Sequence, residues 1–192
     1  MERLHEKPRR HIVLIGLMGC GKSTVGKALG KLTGLPLLDT DAVIEEQVGM
    51  SIPEIFRKYG EKRFRSLETA LLRYLLEHQT PESCIIATGG GIVVRPANRP
   101  LLRRLGFTVW LHAEVPVLLQ RTAHTANRPL LQDTDRERRI NELSSQRAPF
   151  YAETAHWTLE VGHSEVFEIA QRILERAADF SDHGKNAFCG GV

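Results

Sequence analysis

The chain has 192 residues, 42% hydrophobic and 26% charged, with a net charge of +3. That balance excludes global disorder and fits one α/β domain with a substantial core. No run of about 18 apolar residues occurs and the basic residues 1–10 lead into no long apolar segment, so neither a membrane span nor a signal peptide is expected, and a cytoplasmic location is. Cys20, Cys84 and Cys189 lie far apart and suggest neither a disulfide framework nor a zinc site. Short basic clusters at Arg103-Arg104 and over 136–139 read as solvated helix faces, and no nucleic-acid surface is expected.

The apolar, β-branched run HIVLI over 11–15 predicts a buried parallel strand, followed by a helix over 22–31. Leu37 and Leu38 form a second strand that ends in Asp39-Thr40-Asp41. Helical patterns cover 42–47, 52–59 and 61–78, the last with Leu67, Leu71, Leu72 and Leu75 on one face. A third strand over 84–87 runs into Gly89, Gly90 and Gly91. A helix over 97–105, a strand over 107–111, helices over 115–122 and 136–146, a strand over 157–161 and a helix over 165–178 complete the pattern. This describes one domain over 11–179, with a flexible N-terminus over 1–10 and a loose polar tail over 180–192. Strands alternating with helices imply a parallel sheet covered on both faces, with ligands at the carboxyl ends of the strands. Residues 16–23, 39–41 and 89–91 all fall at such ends.

The run GLMGCGKS over 16–23 matches G-x-x-x-x-G-K-[ST] and sits between a predicted strand and helix, the context a phosphate-binding P-loop needs. Gly16, Gly19 and Gly21 let backbone wrap phosphate oxygens. The helix N-terminus favours their charge. Lys22 reaches the β- and γ-phosphates, and Ser23 supplies a hydroxyl for Mg²⁺. Nucleotide binding follows, without a choice between adenine and guanine. Cys20 lies inside the loop, so a bulky group on its thiol is expected to block phosphate binding.

What receives the phosphate rests on weaker signals. Strand alternation would aim Asp39 and Asp41 the same way, where one could orient a hydroxyl and the other help hold Mg²⁺. By residue type alone, a helix N-cap is the better explanation of either Asp. The glycine triplet allows close approach to a ligand, or is a turn. Arg128, in a loop between helices, could close over ATP or be solvated. Arg147 could grip a carboxylate or neutralise a helix C-terminus.

Taken together, the P-loop, LDTD at 38–41, FRSLE at 64–68, GGG at 89–91, RPLL at 128–131 and RAPFY at 147–151 resemble the shikimate kinases, of the nucleoside monophosphate kinase-like P-loop group. The resemblance spans roughly residues 10–178. It implies an α/β P-loop three-layer sandwich with a five-stranded parallel sheet, a helical substrate-binding region over about 42–76 and a mobile lid over about 123–133. It implies ATP and Mg²⁺-dependent phosphorylation of the shikimate 3-hydroxyl, in aromatic amino acid biosynthesis, by a monomer. ATP would dock on Gly19, Cys20, Gly21, Lys22, Ser23 and Thr24, with Arg128 reaching it from the lid. Asp41 would bind shikimate hydroxyls and accept the proton. Arg65 and Arg147 would grip the carboxylate, Gly90 would contact the substrate through its backbone, and Glu68 would hold Arg65. Lys22 and Arg128 would join Asp41 in catalysis. Ser23 and, through water, Asp39 would serve the metal. The chain departs from the family's pattern over 160–164, EVGHS, so adenine contacts stay unassigned. A gluconate kinase of the same fold, a non-catalytic nucleotide-binding module and a nucleic-acid-dependent ATPase are the competing readings.

Overall fold

The computed structural model describes residues 11–78, 83–123, 135–162 and 164–186, with backbone alone for 181–186. Five strands, β1 (His11–Ile15), β2 (Leu37–Asp39), β3 (Ile85–Ala87), β4 (Gly106–His112) and β5 (Trp157–Glu160), form one parallel sheet in the order β2-β3-β1-β4-β5. In β1, Ile12, Val13, Leu14 and Ile15 are fully buried. A strand covered on both faces needs apolar residues at every position, which is why this one reads as a continuous run. Each such side chain contributes about 1.5–3 kcal/mol on burial.

Helices α1 (Lys22–Thr33), α2 (Thr40–Val48), α3 (Ile52–Glu77), α4 (Asn98–Leu105), α5 (Val115–Thr122), α6 (Arg136–Thr154) and α7 (Val166–Asn186) cover the sheet. A separate apolar cluster of Ile44, Ile55, Phe64 and Leu71 ties α2 to α3 beside it. This is the flank over 42–76 where the sequence suggests a substrate region.

Three helices differ most from their sequence-based limits. The segments predicted over 52–59 and 61–78 join as α3 across Gly60, whose backbone (φ 75°, ψ 167°) is non-helical. The glycine permits a kink there that an L side chain resists. Helix α6 runs on to Thr154 with Pro149 inside it. Pro149 forfeits one backbone bond, and burial of Tyr151 and Thr154 beyond it carries the helix through. Helix α7 continues to Asn186, into the segment the sequence reads as loose. Phe180 anchors it by packing on Phe107, ring centroids 5.0 Å apart, and on His156 at 4.7 Å. Arg103 does more than sit in solvent: its Nη1 donates to the carbonyls of Thr154 (3.2 Å) and Ala155 (2.7 Å), closing the end of α6. No helix among the described residues is long and apolar enough to cross a membrane.

Candidate active site

The carboxyl ends of β1, β2 and β3 open into a cleft of about 910 Å³, a size usual for small-molecule sites. Its floor is the loop after β1. Gly16, Gly19 and Gly21 take φ of 143°, 83° and 99°, values that L side chains resist. Residues Met18, Gly19, Cys20, Gly21, Lys22, Ser23 and Thr24 all line the cleft. Lys22 Nζ donates to the carbonyls of Gly16 (2.8 Å) and Leu17 (3.0 Å), which holds the ammonium inside the loop's curl. Cys20 is fully buried, and its Sγ lies against Gly16, where an added Cβ would sit 2.9 Å away. The sulfur therefore turns into the loop, and a reagent must first open the loop to reach it.

Asp39 ends β2 and Thr40 begins α2, so strand alternation is not what brings Asp39 and Asp41 together. The helix turn does it. Asp39 is the N-cap of α2, its Oδ1 accepting from the Asp41 N–H at 3.1 Å, while Oδ2 accepts from Ser23 Oγ at 3.1 Å. The capping and phosphate-side alternatives therefore coexist in one side chain. Asp41 caps nothing. Its Oδ1 is buried without a hydrogen-bond partner. Burial, then the neighbouring Asp39, push its pKa up to about 6 against the pull of Lys22 and Arg65. Such a carboxyl is an effective proton acceptor near neutral pH.

Arg65 enters from α3, paired with Glu61 (2.8 Å) and Glu68 (2.9 Å). Glu68 is fully buried. Burial drives its pKa up to about 7, with Arg65 opposing. The expected support of Arg65 by Glu68 is present as a direct ion pair. The glycine triplet packs among these groups. A Cβ at Gly89 would collide with the Asp41 carboxylate, and one at Gly91 with the Arg65 guanidinium. Close approach, rather than turn geometry, is what requires glycine there: Gly89, Gly90 and Gly91 do not take positive φ. Gly89 N–H donates to Thr40 Oγ1 at 3.0 Å.

Arg147 lies well inside α6, so neutralising a helix C-terminus is not its role. It is 6% exposed, and its Nη1 donates to the Gly90 carbonyl at 3.1 Å. Asp41, Arg65, Gly90 and Arg147 thus share one wall of the cleft with the P-loop. Residues 124–133 of the expected lid, Arg128 among them, lie outside the described residues.

Several residues here carry no motif. Glu45 Oε1 accepts from the Ile52 N–H at 2.7 Å and sets the start of α3 on the cleft's rim. Arg121 lines the cleft beyond Gly21, its Nη2 donating to the Val161 carbonyl at 3.1 Å, and Val166 and Ile169 of α7 complete that end. The only sequence hint for this end was the irregular segment after β5. Among the described residues no group of three or more His, Cys, Asp or Glu could hold a metal alone.

A five-stranded parallel sheet with a P-loop after its central strand and a polar acceptor wall beside it defines a P-loop kinase fold. A family model described as shikimate kinase matches residues 18–178. The shikimate kinase of Xanthomonas euvesicatoria pv. vesicatoria is 42% identical over 174 residues, covering 90% of this chain and 95% of that one. That of Halorhodospira halophila is 44% identical over 171 residues, covering 89% and 95%. The shikimate kinase from Acinetobacter baumannii, solved in complex with shikimate, superposes with a TM-score of 0.83 at 40% identity, covering 89% of this chain and 94% of that one. The chain belongs to the shikimate kinase family. A gluconokinase from Sinorhizobium meliloti shares the fold, with a TM-score of 0.57 at 18% identity.

Proposed function

We propose that this chain transfers the γ-phosphoryl group of ATP to the 3-hydroxyl of shikimate, with Asp41 accepting the hydroxyl proton. The observation that carries this reading is the pair of buried guanidiniums, Arg65 and Arg147, set against adjacent glycines beside the unpartnered Asp41 carboxylate. Two planar forks converging beside a proton acceptor suit a ring that bears one carboxylate and several hydroxyls. A sugar acid with an extended chain has less use for that fixed angle.

In this reading ATP phosphates lie along residues 19–24, and Lys22 exchanges its loop carbonyls for phosphate oxygens. The base lies at the end formed by Arg121, Val166 and Ile169, where a guanidinium plane and apolar side chains suit a purine face. Arg128 reaches the phosphates from a lid over 123–133. Arg65 and Arg147 take the carboxylate, Gly90 faces the ring through its backbone, and Asp41 takes the hydroxyl. Ser23 Oγ and Asp39 Oδ2 face each other on the cleft wall and fit Mg²⁺. Ser23 would hold it directly and Asp39 through water, with phosphate and water completing its shell; there it would neutralise phosphate charge. Closure around both substrates excludes competing water, and positioning with charge neutralisation supplies most of the catalysis. The same reading places the enzyme in the cytoplasm as a monomer that binds neither membrane nor nucleic acid, serving aromatic amino acid biosynthesis.

ADP release is the test, measured with ATP and Mg²⁺ and with shikimate, gluconate or no acceptor. Strong stimulation by shikimate alone is expected. ATP binding without shikimate-dependent ADP would overturn the acceptor assignment.

A further inference from the structure

The Gly90 carbonyl receives two hydrogen bonds, from Tyr151 Oη at 2.5 Å and from Arg147 Nη1 at 3.1 Å. Both donors lie on α6, four positions apart, so they meet the same oxygen from one helix face. Their other surroundings differ. Arg147 lines the cleft; Tyr151 is 2% exposed and stacks on Trp110, ring centroids 5.5 Å apart. Burial pushes the Tyr151 hydroxyl well above the usual tyrosine range, so it stays a proton donor across working pH.

The Gly90 carbonyl is partly buried, and losing a donor there costs it a hydrogen bond. One Arg147 N–H serves that carbonyl, and this bond weakens when the guanidinium turns to face an anion. Tyr151 removes that conflict. We propose that Tyr151 is a positioning residue for the acceptor site: by holding the Gly90 carbonyl, it frees Arg147 to turn its guanidinium onto an acceptor's carboxylate while the Gly90–Gly91 peptide stays in place. This rests on the reading above that Arg147 grips the carboxylate. The peptide has little room to move otherwise, because Gly89 is tied to Thr40 and the Cβ position of Gly90 lies 3.3 Å from the Met18 nitrogen of the P-loop. A peptide that turned to follow Arg147 would press on the phosphate loop.

Tyr151→Phe tests this, because phenylalanine fills the same volume against Trp110 and removes the hydroxyl alone. The KM for shikimate should rise about five-fold, the effect of one neutral hydrogen bond. The turnover number and the KM for ATP should stay within about two-fold of native, a split that a general loss of packing does not give. In an Arg147→Ala background, Tyr151→Phe should add less than about two-fold, since its effect passes through Arg147. An unchanged shikimate KM, a parallel loss in ATP KM and turnover, or a full additional five-fold in the Arg147→Ala background would each overturn the proposal. If the native protein shows no shikimate-dependent ADP release, the functional reading falls and takes this inference with it. Native turnover with any of the three adverse results sinks the inference alone.

Discussion

Replacing Asp41 by Asn keeps the shape of the side chain and removes its charge. Burial and Asp39 lift the Asp41 pKa from its usual 3.8 to about 6, so the folded protein holds the ionised form less favourably than water does. At 1.36 kcal/mol for each factor of ten, that difference is on the order of 3 kcal/mol. The sign follows from proton counting. Between the two values the folded chain binds the proton more readily than the unfolded chain, so ionisation costs stability as pH rises from about 4 to about 6. Asp41→Asn should therefore stabilise the protein at pH 8, by up to about 3 kcal/mol, or roughly 6–12 °C in melting temperature for a chain this size. The gain should shrink by about half at pH 5 and vanish below about pH 4. Turnover of shikimate should be abolished, with ATP binding nearly intact. Paired thermal melts of the native and Asn proteins across this range, in nucleotide-free buffer, check it. A variant less stable than native at pH 8, or a stability difference independent of pH, would refute the claim that the site carries an electrostatically costly carboxylate.

The same group should shape activity: kcat/KM for shikimate is expected to rise with pH through a limb near 6, read from a pH–rate profile, and a flat profile from pH 5 to 8 counts against Asp41 as proton acceptor. Gly91→Ala drives a Cβ into the Arg65 guanidinium and should raise the shikimate KM at least about ten-fold with the ATP KM little changed, as steady-state kinetics will show. Arg147→Ala should weaken shikimate binding by about 2–4 kcal/mol, the scale of a charge-assisted pair, and calorimetric titration with an unchanged affinity would remove Arg147 from the acceptor site.

Much of the fold was legible because burial is two-sided at the centre. Within the run over 11–15, residues 12–15 leave no polar position to confuse the period, and the limits 11–15 coincide with those of β1. Helix ends were harder, since they depend on distant partners. Pro149 is a local breaker that Tyr151 and Thr154 override by packing, and α7 outruns its periodicity because Phe180 finds Phe107. In the site, residues inside motifs were readable because phosphate chemistry prescribes them at fixed spacing. Asp41 reaches the cleft on the first turn of α2, because β2 ends before the alternation that the sequence suggested can extend to it. Thr40 and Tyr151 fall inside the LDTD and RAPFY motifs without a role assigned to them there, and Arg121 falls in none. Their importance lies in which backbone groups they meet across the fold, to Gly89, Val161 and Gly90, and a single chain read linearly does not reveal such meetings.

The neighbour relation between β1 and β3 has a mechanical consequence. The loop that cradles phosphate and the glycines that back the acceptor spring from adjacent, hydrogen-bonded strands, with Leu14 level with Ala87. Adjacent strands in any sheet lie about 4.8 Å apart. On the proposed reading, the roots of the phosphate-side loop and the acceptor-side glycines are thus moored to one stiff sheet, one strand spacing apart. That baseline fixes the roots of the loop and the triplet, while the side chains proposed to hold the acceptor, Asp41, Arg65 and Arg147, ride on α2, α3 and α6.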